Sequence, residues 1–124
     1  DGGMADSIPI KKSEADGNVK NVVIMTKPVG YRREKEKALP AIKARYLKYP
    51  KLYDLMKDRH IAYNETVDYI EKKAADKELI LIRPKEDIYI DRLEKDSDKL
   101  NALYNEGYKE AESQYEAMLE YLNK

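Results

Sequence analysis

The residues best suited to chemistry are the first three of the chain, Asp1, Gly2 and Gly3. Two consecutive glycines after an acid predict a backbone that takes positive φ or passes close to another group. Such a turn would hold the carboxylate of Asp1 at a fixed angle. A catalytic carboxylate needs that placement, and so does an aspartate that only stabilises a loop.

Other candidates for chemistry have simpler interpretations. His60, the only histidine, lies within a predicted helix beside Arg59, where a structural hydrogen bond is the favoured role. Asp6 precedes Ser7 and Pro9, a pattern typical of a side chain that stabilises its own turn. The chain has no cysteine, so disulfides and thiolate metal sites are excluded, and one histidine does not favour a zinc site. We expect neither a metal nor another cofactor.

Composition indicates a strongly polar protein. Of the 124 residues, 42% are hydrophobic and 39% are charged. This length allows at most one domain with a modest core. No apolar run approaches the roughly 18 residues that would span a bilayer. We expect a cytoplasmic protein that could also lie peripherally at a membrane.

Charge sums to zero but is unevenly distributed. Residues 27–51 contain nine Lys or Arg and two acidic residues, a net charge of +7. Residues 86–124 contain eleven acidic and five basic residues, a net charge of −6. A zero total gives no reason to expect nucleic acid as a partner. The basic stretch could face anionic lipid head groups. The alternative, which we favour, is a solvated face balanced by the acidic tail.

Two short apolar runs and the segment between them predict a βαβ unit. Residues 22–26 and 79–82 are compact and rich in β-branched residues, which is typical of buried strands. Apolar residues recur every three or four positions over residues 51–74, which predicts a long amphipathic helix. Two strands are too few for a stable sheet. The predicted fold class is α/β, a helix-rich fragment with a small parallel βαβ unit and C-terminal helices.

Turn-forming residues mark shorter elements in the first half of the chain. Gly17 should close one or two helical turns over residues 10–18. Residues 27–37 are mostly charged and are predicted to form a loop. Pro40 suits the first turn of a short helix. The apolar face of that helix is expected to consist of Ile42, Tyr46 and Leu47.

Residues 85–124 are predicted to be a helical extension of the α/β portion at residues 1–84. Within it, residues 88–90 should form a short extended piece. Asp96 or Ser97 should cap the last helical region. Beyond the cap, apolar residues at helical spacing make one stripe, which consists of Leu100, Leu103, Tyr104, Tyr108, Ala111, Tyr115, Met118 and Leu122.

The order of these features resembles a known family. Asp-Gly-Gly at residues 1–3 leads through Ala-Asp and Ile-Pro-Ile at residues 5–10 to a helix and a hydrophobic strand. The same order begins the second half of bacterial patatin-like phospholipases. The similarity continues through Arg45-Tyr46, Tyr49-Pro50-Lys51-Leu52, Arg59-His60, Tyr63-Asn64-Glu65-Thr66, Ile82-Arg83-Pro84, Leu103-Tyr104 and Gly107-Tyr108. These downstream pieces support membership of the family and imply no catalytic role.

The resemblance implies a chemistry. Patatin-like hydrolases cleave acyl esters with a Ser–Asp dyad, whose serine lies in a Gly-x-Ser-x-Gly elbow. By this match Asp1 is the dyad aspartate, and Gly2 and Gly3 shape its turn. A serine hydroxyl is a weak nucleophile, so the carboxylate must accept its hydrogen bond at roughly 2.6–3.2 Å. The sequence contains no Gly-x-Ser-x-Gly. We therefore expect a fragment of a larger enzyme that is inactive alone.

Two functions remain open at this point. The first is the C-terminal part of a patatin-like lipid acyl hydrolase that acts on phospholipid or other acyl esters. The alternative is a non-catalytic helical module for protein or membrane-surface association, through residues 27–51 or the tyrosine-rich helices. An exposed edge of the strand at 22–26 or 79–82 would also allow a homodimer.

Overall fold

A computed structural model describes residues 2–86, 90–91 and 93–123. Helices make up 58% of the described residues, and two short strands pair in parallel. The predicted fold class, a helix-rich α/β arrangement with a small parallel βαβ unit and C-terminal helices, is confirmed. The elements in chain order are α1 (Gly2–Ala5), α2 (Ile10–Ala15), β1 (Val22–Ile24), α3 (Leu39–Arg45), α4 (Pro50–Ala75), β2 (Ile80–Ile82), α5 (Ser97–Ser113) and α6 (Tyr115–Asn123).

The chain divides into two compact units that interleave along the sequence. The first unit combines the chain up to Gly17 with Arg32–Lys72. The second combines Asn18–Tyr31 with the chain from Lys73 onward. Helix α4 contributes most of its length to the first unit and its last turn to the second. The predicted division after residue 84 is a different one and stays a prediction.

Both strands lie in the second unit. Val23 is paired with Leu81 at the centre of the parallel register. A hydrogen bond of 2.9 Å from Met25 N–H to the Ile82 carbonyl continues the pairing beyond β1. The buried side chains here are Val23, Met25, Leu79 and Ile82. The strands predicted at 22–26 and 79–82 are confirmed, with slightly shorter bounds.

The outer edge of β1 is open within the described residues. The Asn21 carbonyl accepts from Ile80 N–H, and Met25 N–H donates to the Ile82 carbonyl. The alternating residues Val22 and Ile24 therefore direct their backbone groups away from β2. No further strand pairs with β1 in the described part of the chain. The side chain of Ile24 is 73% exposed. This edge is therefore available for pairing.

Helix ends follow the predicted signals closely. Gly17 follows α2 with φ +91°, a left-handed conformation that glycine adopts without strain. Pro40 lies in the first turn of α3. Asp96 caps α5, since its carboxylate accepts from the backbone N–H groups of Asp98 at 2.9 Å and Lys99 at 3.4 Å.

The C-terminal end of α4 lacks the usual glycine. Lys77 adopts φ +59°, its N–H donates to the Ala74 carbonyl, and Glu78 N–H donates to the Lys73 carbonyl. These two bonds form a Schellman motif, which normally places glycine at the left-handed position. A lysine there costs about 1 kcal/mol. The predicted end of the helix near residue 74 is nevertheless confirmed.

The buried apolar side chains of the first unit include three on α4. Tyr63, Val67 and Ile70 are separated by four and three residues, so they share one helix face. Leu39 is the buried residue of α3. The apolar face predicted for α3 is wrong at Leu47, which is 74% exposed. Helix α3 ends at Arg45, and the helical period does not extend to Leu47.

The predicted C-terminal stripe faces solvent over much of its length. Tyr104, Tyr108 and Tyr115 are 68%, 59% and 51% exposed. A turn at Gln114 separates α5 from α6 and interrupts the stripe. The extended piece predicted at 88–90 includes Ile88 and Tyr89, which lie outside the described residues.

Candidate functional site

The segment that follows Asp1 is helical. Asp1, the predicted dyad aspartate, lies outside the described residues. Gly2 and Gly3 begin α1, and Asp6 N–H donates to the Gly2 carbonyl at 2.8 Å. Of the two alternatives expected for these glycines, positive φ is not adopted, because this hydrogen bond closes an ordinary helical turn. A Cβ at Gly2 would meet no atom within 4 Å.

Two side chains hold the carbonyl oxygen of Gly3. Arg59 Nη2 donates to it at 2.5 Å, and Ser7 Oγ donates at 2.7 Å. The carboxylate of Asp6 accepts from Ile8 N–H at 3.2 Å, which confirms the prediction that Asp6 stabilises its own turn. Arg59 comes from the middle of α4, so this long helix fixes the segment beside the candidate dyad aspartate.

A cavity of about 640 Å³ lies beside this segment in the first unit. One wall consists of residues 4–8. The other wall is one face of α4, which contributes Lys51, Asp54, Leu55, Asp58, Arg59, Ala62, Tyr63 and Thr66. Small-molecule sites usually measure about 300–1,000 Å³ and combine apolar walls with a few polar groups. This cavity has that size, and polar residues are more numerous in its lining than in the usual site.

Apolar and charged side chains line the cavity in similar numbers. The apolar residues are Met4, Ala5, Ile8, Leu55, Ala62 and Tyr63, and the charged residues are Asp6, Lys51, Asp54, Asp58 and Arg59. This site was not predicted from the sequence. The signal was present in α4, where charged and apolar residues share one face at spacings of three and four, but the opposite wall depends on tertiary structure.

Other polar contacts of α4 join it to the loop after residue 31. Arg32 bonds to Asp68 at 2.8 Å and to Glu71 at 3.0 Å. The hydrogen bond to Glu71, with the attraction of both acids, raises the pKa of Arg32. The Asn64 side chain accepts from Arg33 N–H and donates to the Arg33 carbonyl, at 2.8 and 3.1 Å.

The aromatic residues of α4 also have charged partners. The guanidinium of Arg33 lies 4.9 Å from the centre of the Tyr63 ring. Tyr69 donates its hydroxyl hydrogen to Glu14 at 2.6 Å, and Lys11 lies over its ring. These contacts order the first unit around α4.

The structural hydrogen bond expected for His60 stays a prediction, and none is seen at its Nδ1 atom within the described part of the chain. This atom is buried and has no hydrogen-bond partner among the described residues. Asn64, one turn further along α4, is engaged by the backbone of Arg33. The described residues also contain no group of three or more His, Cys, Asp or Glu that could hold a metal ion.

Part of the basic stretch at residues 27–51 is engaged within the protein. Arg32 forms ion pairs, and Arg33 contacts an aromatic ring. Lys27 lies over Tyr31, and Lys43 over Tyr53. None of these partners belongs to residues 86–124, so the balance by the acidic tail that we favoured stays a prediction. No helix within the described ranges has both the length and the hydropathy needed to cross a bilayer.

The second unit contains a buried carboxylate. Glu110 is 8% exposed, and it accepts from Lys85 Nζ at 3.0 Å and from Gln114 Nε2 at 2.9 Å. The hydrogen bond from Lys85 is the main cause that lowers the pKa of Glu110, and burial partly opposes it. Both carboxylate oxygens are thus satisfied within the protein, which is the arrangement of a structural group.

Comparison with known proteins identifies a family. Residues 49–123 match a family described as a domain of unknown function, DUF6363. This segment contains all of α4, together with β2, α5 and α6, whereas residues 2–8 precede it. No curated protein and no solved structure matches the chain. Because the match covers more than half of the sequence, the chain belongs to the DUF6363 family.

Proposed function

We propose that this chain is the C-terminal part of a patatin-like lipid acyl hydrolase, with Asp1 as the dyad base. The proposal rests on the resemblance of residues 1–10 and of the downstream pieces to that family. Its substrates would be phospholipids or other acyl esters. The serine of the dyad would come from a Gly-x-Ser-x-Gly elbow, which this sequence does not contain.

One structural observation carries the proposal. The Gly3 carbonyl, two residues after Asp1, accepts hydrogen bonds from both Arg59 and Ser7. A charge-assisted bond from Arg59 is stronger than a neutral one and fixes the backbone at this point. The next residues line the cavity of about 640 Å³. The proposal is thus supported by an anchored backbone and a recess of ligand size in the residues that follow Asp1 in the sequence.

The chemical role of the carboxylate follows from the dyad. A serine hydroxyl attacks an ester effectively only when an adjacent base accepts its proton. An aspartate within hydrogen-bond distance can be that base. The amide of Asn cannot accept the proton, and its NH₂ group would donate to the serine oxygen instead.

The test is the substitution Asp1→Asn in a longer protein that carries the serine elbow. Activity against a p-nitrophenyl ester should fall by about 10²–10⁴-fold, the usual loss for a general base. The melting temperature should stay almost unchanged, since the side chains are isosteric. Asp76→Asn, at a turn after α4, is the matched control and should keep full activity.

Two results would contradict the proposal. The first is wild-type turnover by a well-folded Asp1→Asn protein. The second is ester hydrolysis above the buffer rate by the present chain alone, since it contains no nucleophilic elbow. Loss of stability with unchanged activity per folded molecule would make Asp1 a turn-stabilising residue.

The alternative function, a non-catalytic helical module, is favoured by a different observation. Three tyrosines are exposed on α5 and α6, namely Tyr104, Tyr108 and Tyr115. Exposed tyrosine is typical of protein interfaces. Cosedimentation with vesicles tests the membrane form of this alternative. Binding to anionic vesicles and not to neutral ones would support it, and equal sedimentation at low salt would exclude it.

A further inference from the structure

We propose that the cavity of the first unit binds an amphiphile with one hydrocarbon chain and a positively charged end group. This inference deepens the proposed function by naming the head-group class of its lipid. It rests on the proposed function only in treating the bound amphiphile as a substrate. The binding itself depends on residues 4–8 and on one face of α4. The alkyl chain would occupy the recess, and the cation would lie near its carboxylates.

The apolar part of the cavity selects a hydrocarbon chain. Leu55, Ala62 and Tyr63 line the cavity from α4, and Met4 and Ile8 line it from the opposite wall. Tyr63 is buried, at 9% exposure, so its ring forms a fixed surface. Each methylene that leaves water for such a surface should tighten binding by about fourfold.

The charged part of the cavity selects a cation. Asp54 and Asp58 are one turn apart on α4, and Asp6 lies on the opposite wall. Within the described residues, neither Asp54 nor Asp58 forms an ion pair. Two like charges at this spacing destabilise a helix slightly. A cationic ligand would relieve that repulsion.

The two basic residues of the lining do not cancel this preference. Arg59 donates to the Gly3 carbonyl and is half-buried. Lys51 is exposed and forms no ion pair with Asp54 in the described part of the chain. Three carboxylates and two cations leave a net negative lining. Carboxylates alone would not make a site, but here they border an apolar recess of ligand size.

The experiment compares three twelve-carbon probes at submicellar concentration: dodecyltrimethylammonium, the neutral monolaurin, and laurate. Binding to the full chain is measured by calorimetry, and circular dichroism confirms that the fold persists. We expect saturable binding of the ammonium probe, about tenfold weaker binding of monolaurin, and still weaker binding of laurate. Saturable binding of no probe would overturn the cavity as a site. Equal affinities or a preference for laurate would overturn the charge assignment.

Variants separate the two parts of the cavity. The double variant Asp54→Asn/Asp58→Asn should bind the ammonium probe about tenfold more weakly than the wild type and should bind monolaurin with unchanged affinity. Glu65→Gln/Asp76→Asn removes two exposed acids that do not line the cavity, so it should bind like the wild type. Ala62→Trp should reduce binding of all three probes by filling the recess. If the double variant and its control bind alike, the inference is wrong.

The outcome is separable from that of the hydrolase proposal. Ammonium-selective binding by the chain, together with an active Asp1→Asn parent, would remove the dyad and leave this site intact. An essential Asp1, together with no saturable binding of any probe, would remove this site and leave the dyad intact. The two proposals therefore fail in different experiments.

Discussion

Each of the two compact units of this protein is stabilised internally by a different kind of contact. In the first unit, side chains of α4 bind distant backbone and carboxylate groups: Arg59 binds Gly3, Asn64 binds Arg33, and Tyr69 binds Glu14. In the second unit, two strands pair along their backbones. There the Tyr121 hydroxyl accepts from Asn21 N–H and donates to the Glu78 carbonyl.

This difference affects what each unit can do. A single helix that holds separate segments through side chains leaves space between them, and the first unit accordingly has a cavity beside α4. The second unit instead presents an open strand edge and exposed tyrosines. Binding of a small molecule is therefore expected in the first unit, and association with another chain in the second.

The largest expected effect comes from the buried face of α4. Ile70 is fully buried at 0% exposure, so Ile70→Ala should cost about 2–5 kcal/mol of unfolding free energy through lost contacts and a cavity. Ile61→Ala on the same helix is the control, because Ile61 is 48% exposed and should cost less than about 1 kcal/mol. Urea unfolding followed by circular dichroism measures both. Equal costs at the two positions would contradict the burial of this face.

A second prediction concerns the anchor of the N-terminal segment. Arg59→Met removes the charged donor to the Gly3 carbonyl and should cost about 1–2 kcal/mol, less than a fully buried bond because Arg59 is half-buried. Hydrogen exchange of residues 4–8 should accelerate. Lys57→Met, at an exposed position of the same helix, is the control. Unchanged exchange in Arg59→Met would show that the arginine does not hold this segment.

Local signals predicted the elements of this fold well. Gly17, Pro40 and Asp96 each act at a helix end through their own backbone or side chain, so their roles can be predicted without tertiary information. The two apolar runs likewise predicted the strands. The left-handed conformation of Lys77 could not be predicted in this way, because no sequence signal distinguishes such a lysine from any other.

Features that depend on distant residues were not predicted. The cavity requires residues 4–8 to lie beside α4, and no local pattern gives that placement. The pairing of Arg59 with Gly3 spans 56 positions for the same reason. Exposure of Tyr104 and Tyr108 was also not apparent, because helical spacing defines a face without showing whether a partner covers it.

A third prediction uses the pH dependence of the second unit. The hydrogen bond from Lys85 lowers the pKa of Glu110 below its ordinary 4.5, so the folded state favours the charged carboxylate. This stability is fully present above the ordinary pKa and is lost as the pH falls through the lowered folded pKa. Glu110→Gln removes that component and should cost about 1 kcal/mol near neutral pH.

The pH profile distinguishes this carboxylate from other acids. The stability difference between the wild type and Glu110→Gln should shrink as the pH falls below about 4.5. Glu112→Gln is the control, because Glu112 is exposed on the same helix and its side chain has no ion pair among the described residues. Thermal melts across the acid range measure both. A pH-independent difference for Glu110→Gln would contradict the assigned role of its charge.

The smallest expected effect on stability comes from a substitution at the open edge of β1. The same substitution should have a large effect on assembly. Ile24 is 73% exposed, so Ile24→Lys should change the unfolding free energy by no more than about 0.5 kcal/mol. An unpaired edge can recruit a strand from a second copy, and a lysine on the edge opposes such pairing. We therefore expect light scattering to show dimers of the wild type at high micromolar concentration and monomers of Ile24→Lys.

Val29→Lys, at an exposed residue outside the strand, should dimerise like the wild type. A strictly monomeric wild type, or equal dimerisation of Ile24→Lys, would show that this edge does not mediate self-association.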